Sequence, residues 1–164
     1  MIDKRAKILV TGGAGFLGKH LVQLLRGHGF KNLIIPRSSN NDLRNLQNCE
    51  RLVKEADYII HLAATVGGIG FNFNFPATLF YDNLLMGIQL IDASAKAHIK
   101  KMVILGTVCM YPKYTPIPFR EESLWDGYPE ETNAPYGLAK KMLLVASYAY
   151  RKQYGLNSIY LLPT

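Results

Sequence analysis

Tyr136 and Lys140 stand at i and i+4, so on a helix their side chains share one face. A phenol beside an ammonium can give or take a proton, because the positive charge favours the phenolate and lowers the phenol pKa toward neutrality. Thr107 closes the apolar run that begins at Lys101, and a hydroxyl at the carboxyl end of a parallel strand can hydrogen-bond a carbonyl. Tyr-x-x-x-Lys arises often by chance, so the three residues gain weight only from their surroundings. Those include a glycine-rich turn, Thr-Gly-Gly-Ala-Gly-Phe-Leu-Gly at 11–18. It follows a strand-like run and opens a helix-like one, the setting in which unpaired helix N–H groups cradle a pyrophosphate. In such a cradle Gly12 permits the tight turn, Gly15 the approach of the backbone to the phosphates and Gly18 the packing of helix on strand, with Phe16 and Leu17 between them.

Alternating elements must hold these groups in place. Apolar runs at 7–11, 32–36, 58–63, 101–107 and 158–162 predict buried strands. Helical spacing is predicted at 16–28, with Leu17, Leu21, Leu24 and Leu25 inward, and at 45–56, with Leu46, Leu52 and Val53 inward. Two longer helices are predicted at 76–97 and 135–154; Pro135 opens the last and Gly155 ends it. Residues 67–75, rich in glycine and aromatics, predict a loop, as do 108–133, which hold four of the eight prolines. The alternation predicts an α/β fold: a Rossmann-like doubly wound parallel sheet, one dinucleotide-binding domain over 1–164, truncated after a sixth strand.

A net charge of +7 suits an anionic partner, but Lys and Arg are scattered with no run of five, which argues against a nucleic-acid patch. Cys49 and Cys109 form no disulfide framework and lack the company a metal would need. Neither a signal-peptide apolar core nor a membrane-length apolar stretch is present, so a cytoplasmic protein is expected. A carboxylate about 20 residues beyond the glycines would bind the ribose hydroxyls of NAD. Here Pro36-Arg37-Ser38-Ser39 offers a guanidinium and hydroxyls instead, which favours the 2′-phosphate of NADP, with NAD the alternative.

Beyond the glycine turn, three stretches are more specific: His-Leu-Ala-Ala-Thr-Val-Gly-Gly-Ile at 61–69, Leu-Gly-Thr-Val-Cys-Met-Tyr-Pro-Lys at 105–113 and Thr-Asn-Ala-Pro-Tyr-Gly-Leu-Ala-Lys at 132–140. With them the chain resembles the extended short-chain dehydrogenase/reductases, the NAD-dependent epimerase/dehydratase family, and within it the GDP-L-fucose synthase group. The resemblance implies reduction and epimerisation of a 4-keto-6-deoxy nucleotide-sugar with NADPH. It implies catalytic roles for Thr107, Tyr136 and Lys140, with Thr in place of the more usual Ser, and a second role for Lys140 on the nicotinamide ribose. Ala63 and Ala64 would line the dinucleotide cleft, and Asp42 and Leu43 would lie near the adenine. Cys109 would be the epimerisation acid/base, although composition alone makes it a small buried hydrophobe. A homodimer through the two long helices is expected. The epimerisation histidine and a carboxyl-terminal substrate domain are expected beyond residue 164, and His20, His28, His61 and His98 are read as structural. Two alternatives stay open: a 4-epimerase or 4,6-dehydratase that recycles its cofactor, and a dinucleotide-binding module without turnover.

Overall fold

A computed structural model describes residues 2–163. Its sheet has five parallel strands in the order β2-β1-β3-β4-β5: β1 (Ile8–Thr11), β2 (Leu33–Ile34), β3 (Tyr58–His61), β4 (Lys101–Leu105) and β5 (Ser158–Leu161). The expected six strands are therefore corrected to five among the described residues. Each of the five apolar runs makes one strand, and the segments between them carry no further run able to bury two faces. The order reverses between β1 and β3, which opens a crevice at the carboxyl ends of those strands.

Successive residues of β1 serve opposite layers. Ile8 and Val10 pack with Val22 and Phe30 under α1 (Phe16–Gly27). Leu9 joins Ile59, Met102 and Ile104 beneath α2 (Leu46–Lys54), α4 (Pro76–Lys96) and α5 (Ala134–Tyr154). On α2 the buried side is Cys49, Leu52 and Val53, whereas Leu46, expected inside, is exposed. On α1 the buried residues are Gly18 and Val22 with Leu21 and Leu25 beside them, while Leu17 and Leu24 face outward.

Residues 67–75, expected to be a loop, contain a short helix, α3 (Ile69–Asn74). Phe71 and Phe75 stack at 4.9 Å one turn apart, and Asn72 is buried with its Nδ2 donating to Asn133 Oδ1 at 2.9 Å. Long-range contacts thus override the poor helix propensity of the glycines. Residues 108–133 hold only two short 3₁₀ turns, Val108–Met110 and Glu121–Trp125. No helix among the described residues is long and apolar enough to cross a membrane.

Two bare positions bring α5 close to its neighbours. A Cβ at Gly87 would strike the Leu143 side chain, so α4 and α5 pack intimately there. A Cβ at Gly137 would overlap the carbonyl oxygen of Cys109 and lie 2.8 Å from its carbonyl carbon. Backbone cannot swing away as a side chain can, so Gly137→Ala should destabilise the fold by about 1–3 kcal/mol despite alanine's better helix propensity. Gly27→Ala, where nothing lies within 4 Å, should be neutral or stabilising by up to about 1 kcal/mol. Urea midpoints for the two variants check the contrast; an unshifted midpoint for Gly137→Ala would mean that α5 can move off the Cys109 turn at no cost.

Candidate functional site

The glycine turn between β1 and α1 is built as a cradle. Gly12 has φ +70°, and a Cβ there would lie 2.7 Å from Ala63 N, so neither the conformation nor the space admits a side chain. Gly18 lies so close beneath the turn that a Cβ would meet the Gly13 Cα at 2.5 Å. No side chain caps α1 at Gly15, and its first turn carries no acidic residue, which leaves backbone N–H groups and the helix dipole for an anion. A pyrophosphate fits that donor set.

A cleft of about 570 Å³ opens over this turn at the carboxyl ends of β1 and β3. Its walls bring together all ten residues expected to meet a dinucleotide besides Lys140: Gly12, Gly15, Phe16, Leu17, Gly18, Arg37, Asp42, Leu43, Ala63 and Ala64. Tyr136 lines it as well. Phe16 is 87% exposed, an apolar ring left without cover at the cleft wall.

The wall at 63–66 depends on residues that sequence reasoning missed. Asn83, buried on α4, accepts from Thr65 N at 2.9 Å and donates to Thr65 O at 2.8 Å. Asp82, also buried, accepts from Thr65 Oγ1 at 3.3 Å and from Arg44 at 3.2 Å. Arg44 in turn grips Asp42 at 2.7 Å, tying the 42–44 segment to α4. Adjacent Asp and Asn within the largely apolar stretch 79–88 of that helix were the available signal. Thr11 Oγ1 sits 2.7 Å from His61 Nδ1 and accepts from Ala63 N at 3.4 Å, which links β1, β3 and the cleft wall.

The groups expected to handle protons lie on the turn after β4 and on α5. Thr107 caps the Val108–Met110 turn, its Oγ1 accepting from Cys109 N at 3.3 Å. Cys109 is a free, half-buried thiol. Tyr136 and Lys140 lie one turn apart on α5, and Tyr160 Oη donates to the Lys140 carbonyl at 2.6 Å. Burial pushes the Tyr136 phenol up, and the neighbouring Cys109 thiol acts in the same direction; the Thr107 hydroxyl pulls it down. The sequence expectation of a lowered phenol pKa is therefore corrected: loss of solvent is the largest cause and raises it, and the downward pull comes from the Thr107 hydroxyl.

Lys140 is 2% exposed, and burial alone brings its pKa down to about 8. None of the ion pairs among the described residues involves it. His61, 1% exposed, is held down to about 3 by burial and by the charge on Lys140, so it stays neutral, and its Nε2 has no hydrogen-bond partner. Among the described residues no cluster of His, Cys, Asp or Glu could hold a metal ion.

Comparison with known proteins places this geometry in context. Residues 8–164 match the model of the NAD dependent epimerase/dehydratase family. GDP-L-fucose synthase 1 of Arabidopsis thaliana is 36% identical over the whole chain, which covers 51% of that protein. GDP-L-fucose synthase of Sinorhizobium fredii is 38% identical over 96% of the chain and 51% of its own length. The solved structure of a GDP-mannoheptose C4 reductase from Campylobacter jejuni with NADP bound superposes with a TM-score of 0.93 at 31% identity, covering 99% of this chain and 52% of that one. The chain thus spans about half the length of the relatives it matches.

The buried ammonium has a thermodynamic signature. Below pH 8 Lys140 is charged in both folded and unfolded states, and the folded state bears the desolvation cost. Between pH 8 and the ordinary value of 10.5 the unfolded chain holds a proton that the folded chain has lost, so this contribution to stability rises with pH. Lys140→Met should accordingly stabilise the fold at pH 7, by up to on the order of 3 kcal/mol, and the gain should vanish near pH 10.5. Urea unfolding of both proteins across that range checks it; a difference that did not change with pH would show that Lys140 is solvated in the folded state.

Proposed function

The chain belongs to the NAD dependent epimerase/dehydratase family, and on that premise we propose that it forms the cofactor-binding and proton-delivering half of an NADP-dependent nucleotide-sugar reductase and epimerase. One observation carries the reading: Tyr136 lines the same cleft as the glycine cradle and Arg37. A carbonyl held against a dinucleotide there meets the phenol. The names of relatives that use GDP-sugars, and of one crystallised with NADP, support the same substrate and cofactor class.

The cradle from Gly12 to Gly18 would hold the pyrophosphate, Arg37 the 2′-phosphate, Asp42 and Leu43 the adenine end, and Ala63 and Ala64 the inner wall. NADPH, when bound, supplies hydride for the keto carbon of the sugar. Tyr136 gives its phenolic proton to the carbonyl oxygen, and the Thr107 hydroxyl polarises that carbonyl by hydrogen bonding. The Lys140 ammonium stabilises the phenolate left behind and binds the nicotinamide ribose. Cys109, on the turn that Gly137 touches, takes or returns the proton beside the carbonyl in epimerisation.

Phe80 and Tyr81 on α4 and Met142, Val145 and Tyr148 on α5 are exposed. We assign this helix pair to a homodimer interface. Tyr148→Asp should convert the dimer to monomer in light scattering; a monomeric parent protein would dispose of the assignment.

For the reaction, the measurement is NADPH oxidation by the full-length protein with a 4-keto-6-deoxy GDP-sugar. Tyr136→Phe should lower turnover by roughly 10²–10⁴ while leaving dinucleotide affinity nearly unchanged. Cys109→Ser should depress epimerisation, followed by solvent deuterium incorporation, more than carbonyl reduction. Undiminished turnover in Tyr136→Phe removes the phenol from the mechanism. Dinucleotide binding without oxidation on any keto nucleotide-sugar would favour a binding module instead.

A further inference from the structure

A second cleft, of about 330 Å³, opens beside the glycine turn. Gly13, Ala14, Lys19, Gln23, Arg26 and Arg37 line it. Ala14 and Arg37 also line the dinucleotide cleft, so the two spaces share a wall at the end of the glycine turn. Lys19, Gln23 and Arg26 fall at i, i+4 and i+7 of α1, which puts them on one helix face. Three cations thus converge on one concavity whose lining contains no carboxylate.

Charge pairing elsewhere sets this in relief. Among the described residues, Arg5, Arg44, Lys96, Lys100 and Lys113 each hold an Asp or Glu, whereas Lys19, Arg26 and Arg37 hold none. Unpaired like charges in one concavity repel, and an anion between them reverses the sign of the interaction. A phosphate monoester supplies the anion these donors suit, with a charge of about −1.5 to −2 near pH 7 and three acceptor oxygens.

Resting on the reading of an NADP-dependent enzyme, in which Arg37 meets the 2′-phosphate, we propose that Lys19 is a second selectivity residue, reaching that phosphate from the side cleft. Lys19 lies in the first turn of α1, beside the cradle. Arg26 lies seven residues on, about 10 Å along the helix axis. Lys19 and Arg37 therefore grip the phosphate directly, and Arg26 contributes its field from farther off. The 2′-phosphate is then held between a helix face and a strand end rather than by one arginine.

Isothermal titration of the protein with NADP⁺, NAD⁺, adenosine 2′,5′-bisphosphate, 5′-AMP and inorganic phosphate tests the assignment at two salt concentrations. Lys19→Ala should weaken NADP⁺ and the bisphosphate about tenfold or more, with NAD⁺ and 5′-AMP changed less than about twofold and the salt dependence shallower. Lys19→Glu should weaken them further, Lys19→Arg should retain most of the affinity, and Arg26→Ala should lose less than Lys19→Ala. Unchanged NADP⁺ affinity in Lys19→Ala and Lys19→Glu overturns the proposal. Equal loss of NAD⁺ overturns it too, because Lys19 would then serve the pyrophosphate. Inorganic phosphate binding as tightly as the bisphosphate would make the cleft a free-anion site. A parent protein that binds neither dinucleotide sinks the functional reading itself, and the proposal with it; one that binds NAD⁺ well and fails only in preference sinks the 2′-phosphate assignment alone.

Discussion

Helix α5 lies against the turn after β4 because residue 137 has no side chain. That contact sets where Tyr136 and Lys140 stand relative to Thr107 and Cys109, since the residues on either side of Gly137 move with it. The rest of the assembly holds the contact in place. Gly87 admits Leu143 between the two long helices, Tyr160 fastens the Lys140 carbonyl, and Ser147 and Ser158 meet at 2.8 Å where α5 passes β5. The glycine cradle is fixed separately, through Thr11, His61 and Ala63. Two sets of contacts therefore flank the cleft, one around the glycine turn and one around Tyr136.

Burial gives the α5 side of the site its character. Lys140 and His61 are both withdrawn from water, and the charge on Lys140 makes a positive charge on His61 still less favourable. The pair resolves this by leaving the imidazole neutral and the ammonium easily discharged. An ammonium in that position gains from any anion brought near it, such as the phenolate at Tyr136 in the proposed reaction. The cost to the folded state is the counterpart of that readiness, as polar groups at functional sites commonly lower stability.

Much of this was legible in the residues. Five apolar runs became five strands, and the glycine turn, Arg37, Asp42-Leu43 and Ala63-Ala64 came together in one cleft because each sits at a strand's carboxyl end or just beyond it. Local periodicity and turn chemistry carry that information. Three things were not legible. The helix at Ile69–Asn74 depends on Asn133, 61 residues from Asn72, and no local pattern announces such a partner. The buried Asp82-Asn83 pair works through Thr65 and Arg44, which lie 17 or more residues away. The cation cleft combines residues of α1 with one beyond β2, and only the packing of helix on sheet shows that they face a common space.

The direction of the Tyr136 shift is also a matter of packing. Spacing places an ammonium one turn from the phenol and leads to the expectation of a lowered pKa, yet desolvation is the largest cause of the shift and raises it. This bears on the direction of the proposed chemistry. Carbonyl reduction consumes a proton, so its acid must begin as the neutral phenol; alcohol oxidation needs the phenolate at the outset. A Tyr136 whose pKa is raised by burial is in the donor form across the physiological range. In the proposed reaction Thr107, acting in the opposite sense on the same oxygen, and Lys140 would stabilise the phenolate once the proton has gone. In the proposed reduction such a phenol holds its proton until a carbonyl arrives, and Thr107 and Lys140 are the partners for the charge it would leave.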